Sequence, residues 1–210
     1  MQIPTETMQP PALLVLAHPE PRSFCSAVAD RAAQAAVSSG YELRRQDLYR
    51  DGFDPVLSVE EYRRGFSLDA TVQAAVKDLQ DADQLIIVHP DWWGGPPAVL
   101  KGWVERAFRA GIAYDYRGPE MGAKSRVGLL DNKQVLVIVT TDSDADEDHQ
   151  SLRRYWNRNV FGFCGIHYSD VRVFGPVHGS RPGTRKLWLR EVENHRFSGR
   201  STQGFDAGST

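Results

Sequence analysis

A chain of 210 residues has the length of one domain. Its 41% hydrophobic and 25% charged residues argue against extended disorder, and 25 Lys and Arg against 27 Asp and Glu leave no basic excess for nucleic acid or an anionic membrane. Two cysteines, Cys25 and Cys164, are too few for a disulfide framework or a Cys-rich zinc site, and no apolar run approaches the ~18–20 residues of a bilayer span.

Residues 1–11 carry no apolar period and neither the basic nor the apolar stretch of a secretory signal. They are expected to form a flexible lead-in to a cytoplasmic protein. Ala12 to Ala17 is a continuous apolar run, as a strand buried on both faces requires. Residues 24–38 follow as a helix, with Phe24, Val28, Ala32, Ala35 and Ala36 near one face and Gly40 as the stop. Tyr41 to Leu48 is a more polar strand suited to the edge side. A helix over 68–80 leads to a second apolar strand, Leu85 to Val88. Pro96 and Pro97 open a helix over 96–110 that carries Val99, Leu100, Trp103 and Phe108. Val135 to Val139 is the next buried strand, then a helix over 150–162, a last strand from Val171 to Phe174 and a helix over 183–196. The Gly- and Ser-rich end, Ser198 to Thr210, reads as a flexible tail. This alternation predicts one α/β domain over 12–197, a parallel sheet with helices on both faces. Five such strands suggest the flavodoxin-like doubly wound order 2-1-3-4-5.

Ligands of such sheets sit beyond the carboxyl ends of the strands, which directs attention to the loops after strands one, three and four: 18–25, 89–96 and 140–149. The first, His18-Pro-Glu-Pro-Arg-Ser-Phe-Cys25, runs into a helix whose N-terminal N–H groups attract a phosphate; Arg22, Ser23 and His18 add charge and donors. It matches neither the G-x-G-x-x-G nor the Walker pattern. Ser23 as a plain helix cap is the simpler alternative. In the second loop two adjacent tryptophans, Trp92 and Trp93, stand among Pro90, Gly94, Gly95 and Pro96, outside any helical or strand period. Glycines permit close backbone approach and aromatic faces suit a flat heterocycle; a Trp pair packed beneath the loop is the alternative. Tyr114 and Tyr116 follow the next helix as pocket wall or surface residues.

These segments, His18 to Phe24, Pro90-Asp-Trp-Trp-Gly-Gly-Pro-Pro-Ala-Val-Leu-Lys-Gly-Trp103 and Gly111-Ile-Ala-Tyr-Asp-Tyr116, together with Asp47-Leu-Tyr49 and Phe53-Asp-Pro55, resemble the NAD(P)H:quinone oxidoreductase family over roughly residues 12–196. The resemblance implies FMN or FAD, reduced by NAD(P)H, and two-electron reduction of a quinone-like or other electrophilic aromatic acceptor in a ping-pong cycle. It implies that His18, Arg22, Ser23, Phe24 and Cys25 surround the flavin phosphate, that Pro90, Asp91, Trp92, Trp93 and Gly94 line the isoalloxazine, and that Thr140 and Thr141 precede a further flavin loop. Tyr114 and Tyr116 match the tyrosines of the nicotinamide and quinone pocket, which a second subunit of a homodimer completes.

The third loop departs from the family. Its common Thr-Thr-Gly-Gly becomes Thr140-Thr-Asp-Ser-Asp-Ala-Asp-Glu-Asp-His149, so Asp142 and Ser143 stand where glycines hold the flavin edge, and the tyrosine a few residues on is missing. The acidic run fails as a calcium loop, because position six is Glu147 and position twelve Arg153. A solvated acidic loop is one reading. The other makes His149, biased towards its protonated form by Asp146 or Asp148, the catalytic donor to the flavin or substrate edge. The altered loop also leaves open a flavin-binding regulatory protein with little turnover, or a flavin-free enzyme on the same scaffold.

Overall fold

The computed structural model describes residues 10–119, 122–143 and 149–197. In chain order the elements are β1 (Ala12–Leu16), α1 (Phe24–Ser38), β2 (Leu43–Asp47), α2 (Val59–Arg64), α3 (Ala70–Asp81), β3 (Gln84–Pro90), α4 (Ala98–Ala107), β4 (Tyr114–Arg117), β5 (Ser125–Gly128), β6 (Gln134–Thr140), α5 (Gln150–Arg154), β7 (Tyr168–Phe174) and α6 (Pro182–Glu193). The main sheet has the order β2-β1-β3-β6-β7, with every neighbouring pair parallel. Counted within that sheet, this is the expected 2-1-3-4-5. The polar strand β2 is indeed at an edge.

Strand side chains alternate between faces, and the apolar runs use both. Leu13, Val15, Leu85, Ile87, Val135 and Val137 enter one core with α3 residues Val72 and Leu79 and α4 residues Leu100 and Trp103. Leu14, Leu16, Ile86, Val88, Leu136 and Ile138 enter the other, against α1 and Val192 of α6. The alanines of α1, all fully buried at 29, 32 and 36, let that helix lie close to the sheet. Gly102 lets the segment before α2 lie against α4: a Cβ there would meet the Pro55 carbonyl oxygen at 2.3 Å. The segment leading to α2 therefore crosses directly over α4, while Trp103 is fully buried and donates its indole N–H to Gln46 Oε1 at 3.0 Å.

Three regions differ from the sequence expectation. The helix over 150–162 is α helical only to Arg154; Tyr155–Phe161 continues as a π-helix and Gly162–Cys164 as a 3₁₀ turn. The wider turn accompanies Trp156 and Phe161, both fully buried and stacked with ring centroids 5.3 Å apart. Helix α2 was not expected because its buried residue is charged, Glu61, and gives no apolar period. The antiparallel pair β4–β5 was also missed; Gly128 lies so close to Gly165 that a Cβ would meet its nitrogen at 2.3 Å. Among the described residues no helix is long and apolar enough to cross a membrane.

Candidate active site

Parallel register brings the ends of β3, β6 and β7 level, with Pro90 paired to Thr140 and Thr140 to Phe174, while β1 ends at Leu16 opposite Val88. The chain leaves β1 and β3 in opposite directions there, and the crevice between them is the switch point.

The first loop enters α1 through Ser23, whose backbone is extended (φ −70°, ψ 163°) and whose Oγ accepts from the Ser26 N–H at 3.1 Å. The simple capping role is thus real, and it still leaves the hydroxyl at the groove. His18 Nδ1 accepts from the Glu20 N–H at 3.0 Å, which puts the ring proton on Nε2. Burial lowers the His18 pKa, so the ring is a neutral donor. Cys25 lies 2.9 Å from Thr140 Oγ1, and burial pushes its thiol up to about 12. It is a wall residue, not a nucleophile.

In the second loop Trp92 and Gly95 exchange backbone hydrogen bonds, Trp92 N to Gly95 O at 2.9 Å and Gly95 N to Trp92 O at 3.3 Å. The two residues between them, Trp93 (φ 59°) and Gly94 (φ 78°), are both left-handed, the pattern of a type I′ turn. Left-handed backbone is uncommon for a bulky side chain, and Trp93 is wholly exposed while Trp92 is 41% exposed. The Trp92 ring stands 6.1 Å from His18, bridging the first two loops. Asp91 is fixed by its N–H to the Thr140 carbonyl at 2.7 Å, and its Oδ2 accepts from Thr141 Oγ1 at 3.2 Å. Its Oδ1 is buried and has no partner among the described residues.

The third loop is strapped to a fourth. Thr141 donates its N–H to Phe174 O and accepts from Val177 N, at 3.0 and 2.9 Å. Asp142 Oδ1 accepts from the His178 N–H at 2.6 Å, and Ser143 N donates to Thr141 Oγ1 at 3.0 Å. A Cβ on Gly175 would meet Thr141 Cγ2 at 2.5 Å, so the two loops need that glycine to touch.

Together these loops enclose a cavity of about 190 Å³ lined by His18, Phe24, Cys25, Pro90, Asp91, Trp92, Thr140, Thr141, Asp142 and Val177. It adjoins a more open hollow of about 510 Å³ that shares Phe24, Asp142 and Val177 and adds Arg22, Ser23, His178, Gly179 and Arg185. One end of the groove thus offers two arginines and the start of α1, and the other an aromatic wall, two threonines and two carboxylates. Arg185, which donates to Ser180 O at 2.5 Å and Ser180 Oγ at 2.8 Å, was not anticipated. The fifth strand ends at the same edge, so the loop after it could have been searched on the same logic.

Not every expected residue joins the groove. Trp93 and Gly94 form the exposed tip of the turn, and Ser143 reaches the groove only through Thr141. Tyr114 lies on β4, where it lines a separate cavity of about 630 Å³ with Phe108, Arg109, Tyr155 and Phe163. Tyr116 is 51% exposed on the same hairpin. His149 precedes α5 and makes no side-chain cap there; it is not among the residues lining the groove. Its expected partners Asp146 and Asp148 lie outside the described residues. Cys164 is buried, with its thiol also raised to about 12. No group of His, Cys, Asp or Glu that could hold a metal occurs among the described residues.

The sheet order and a groove at its switch point define an α/β protein of the flavodoxin-like class. A family model described as flavodoxin-like fold matches residues 11–195. An uncharacterized NAD(P)H oxidoreductase of Haemophilus influenzae is 33% identical over 84% of this chain and 89% of its own. The NAD(P)H dehydrogenase (quinone) 1 of Cavia porcellus is 34% identical over 87% of this chain and 76% of its own. A solved NAD(P)H:quinone oxidoreductase from Methanothermobacter marburgensis shares the fold, with a TM-score of 0.74 at 24% identity over 88% of this chain and 94% of that one. The chain belongs to the NAD(P)H:quinone oxidoreductase family of flavodoxin-like proteins and is an oxidoreductase.

Proposed function

We propose that the protein is a flavin-dependent NAD(P)H oxidoreductase that reduces a quinone-like or other electrophilic aromatic acceptor in two alternating half-reactions. The observation that carries this reading is the continuous groove with a cationic end and an aromatic, acceptor-bearing end at the switch point. Its residues fit a flavin, FMN or FAD. Arg22, Ser23 and Arg185 would hold the phosphate beside the N-terminus of α1. Trp92 would cover the ring, with Thr140, Thr141 and the unpartnered Asp91 Oδ1 along its polar edge. The bound flavin supplies hydride acceptance and donation; the protein supplies orientation and electrostatics.

Within that division His18 offers a neutral Nε2–H at the groove, and Cys25 with Thr140 closes its floor to water. His149, next to α5 and outside the residues that line the groove, is assigned the proton donor for the third loop. The test is the rate of reduction by NAD(P)H in a His149→Ala variant. His149→Ala should slow that step, and an unchanged rate removes His149 from the mechanism.

Tyr114 and Tyr116 are assigned to the substrate pocket of a second copy of the chain. Tyr114, Arg109 and Tyr155 line the apolar cavity, and the buried Arg109 Nη1 and Tyr155 Oη lack hydrogen bonds among the described residues, the arginine holding only an ion pair with Glu61 at 3.8 Å. A partner subunit supplying apolar cover and an acceptor accounts for both.

One observation favours a second reading. Asp142 places a carboxylate in the groove where the family carries glycine, and negative charge there opposes the charge gained on reduction. A flavin-binding regulatory protein with little turnover would follow. Asp142→Gly with Ser143→Gly should then raise the reduction rate; an unchanged or lower rate supports the enzyme.

A further inference from the structure

We propose that Asp91 is the residue that reads and orients the flavin ring, its Oδ1 accepting the ring N3–H; the inference rests on the flavin reading above. Asp91 follows β3 directly and is held by its own N–H on the Thr140 carbonyl. Its carboxylate is fixed in turn by a short relay. Ser143 N–H donates to Thr141 Oγ1, which leaves the threonine proton for Asp91 Oδ2. Oδ1 is the remaining acceptor. It is closed off from solvent, takes no hydrogen bond from a described residue, and belongs to a side chain that lines the cavity.

Burying a carboxylate oxygen without a donor is unfavourable, so a ligand that brings an N–H gains more here than at an exposed acceptor. An oxidised isoalloxazine has one ring N–H, at N3; N1, N5, O2 and O4 are all acceptors. A carboxylate oxygen therefore attracts one edge of the ring and repels the others. Around it Thr140 is engaged with Cys25, Thr141 with Asp91, and Asp142 Oδ1 with the His178 N–H, while His18 offers a donor. Asp91 is thus a device for register, selecting one orientation of a ring that Trp92 alone would cover in any rotation.

The experiment compares FMN with 3-methyl-FMN, whose N3 has no proton, by the quenching of flavin fluorescence in wild type, Asp91→Leu and Asp91→Asn. Wild type should bind FMN about tenfold or more tightly than the methylated probe, as expected for a hydrogen bond to a charged group. In Asp91→Leu the preference should fall to about twofold or less, while Asp91→Asn, which keeps the shape and loses the charge, should be intermediate. Circular dichroism checks folding, and Asp91→Asn alone decides if Asp91→Leu does not fold. An equal preference for FMN in wild type and variants overturns the proposal and leaves the flavin reading standing. Failure of wild type to quench FMN saturably would remove the flavin reading itself.

Discussion

His89 is fully buried at the end of β3, with Nδ1 2.8 Å from the Pro90 carbonyl and Nε2 accepting from the Trp156 indole at 3.0 Å. Those contacts fix the neutral tautomer with its proton on Nδ1, and burial lowers the pKa to about 4. An unfolded histidine binds its proton near 6.5, so below that value the unfolded state takes up the proton first. Stability from this group is complete above about pH 6.5 and falls as the pH drops to about 4, by roughly 3 kcal/mol. Urea midpoints at pH 7 and 4.5 should differ less in His89→Gln than in wild type; an equal difference refutes the assignment. Arg22 calls for a more modest expectation. Its side chain is 95% exposed and only 3.9 Å from Glu20, so solvent screens it. Arg22→Ala with Ser23→Ala should weaken FMN binding by about 2 kcal/mol, most of it from Ser23 and the start of α1. Undiminished FMN occupancy after dialysis would displace the phosphate site from this loop.

At the scale of elements, α2 and α4 are joined by a buried ion pair, Arg106 Nη2 to Glu61 Oε2 at 2.7 Å, with both side chains under a tenth exposed. Arg106 also donates to the Asp54 carbonyl at 2.6 Å, tying in the segment that crosses Gly102. Removing one charge leaves the other buried with longer ion pairs, Glu61 with Arg109 at 3.8 Å or Arg106 with Asp69 at 3.5 Å. Arg106→Met should cost about 3–5 kcal/mol, and the double change with Glu61→Leu should recover much of that. Equal losses in single and double variants, read from denaturant midpoints, would contradict the pairing. This cluster also explains what sequence could not reveal. The core strands announced themselves as apolar runs, and α1 begins at Phe24 and ends at Ser38 where Ser23 and Gly40 indicated. Helix α2 is held by charge, which carries no period, although Ser58 and Gly65 mark its ends. The break after Arg154 follows from how Trp156 and Phe161 stack in three dimensions.

For the molecule as a whole, doubly wound topology was legible because alternating strand and helix segments leave few arrangements. The groove was legible for the same reason: the first three loops could be located before any contact was known. The fourth, with His178 and Arg185, could be located by the same rule, but its residues carry no motif and lie in an ordinary-looking turn and helix. The hairpin tyrosines stand outside the groove of their own chain, which is the arrangement a shared site requires. Sedimentation at micromolar concentration should therefore give a dimer, and Tyr155→Phe with Arg109→Met should shift that equilibrium. A wild-type monomer would contradict the shared site.

The proposed function requires that this groove hold a flavin that exchanges hydride between NAD(P)H and an aromatic acceptor. The measurement is the absorbance near ~450 nm of FMN-loaded, gel-filtered protein under anaerobic conditions. NAD(P)H should bleach the band, and a simple benzoquinone should restore it. Protein that emerges without the band, or a band that NAD(P)H leaves intact, would contradict it.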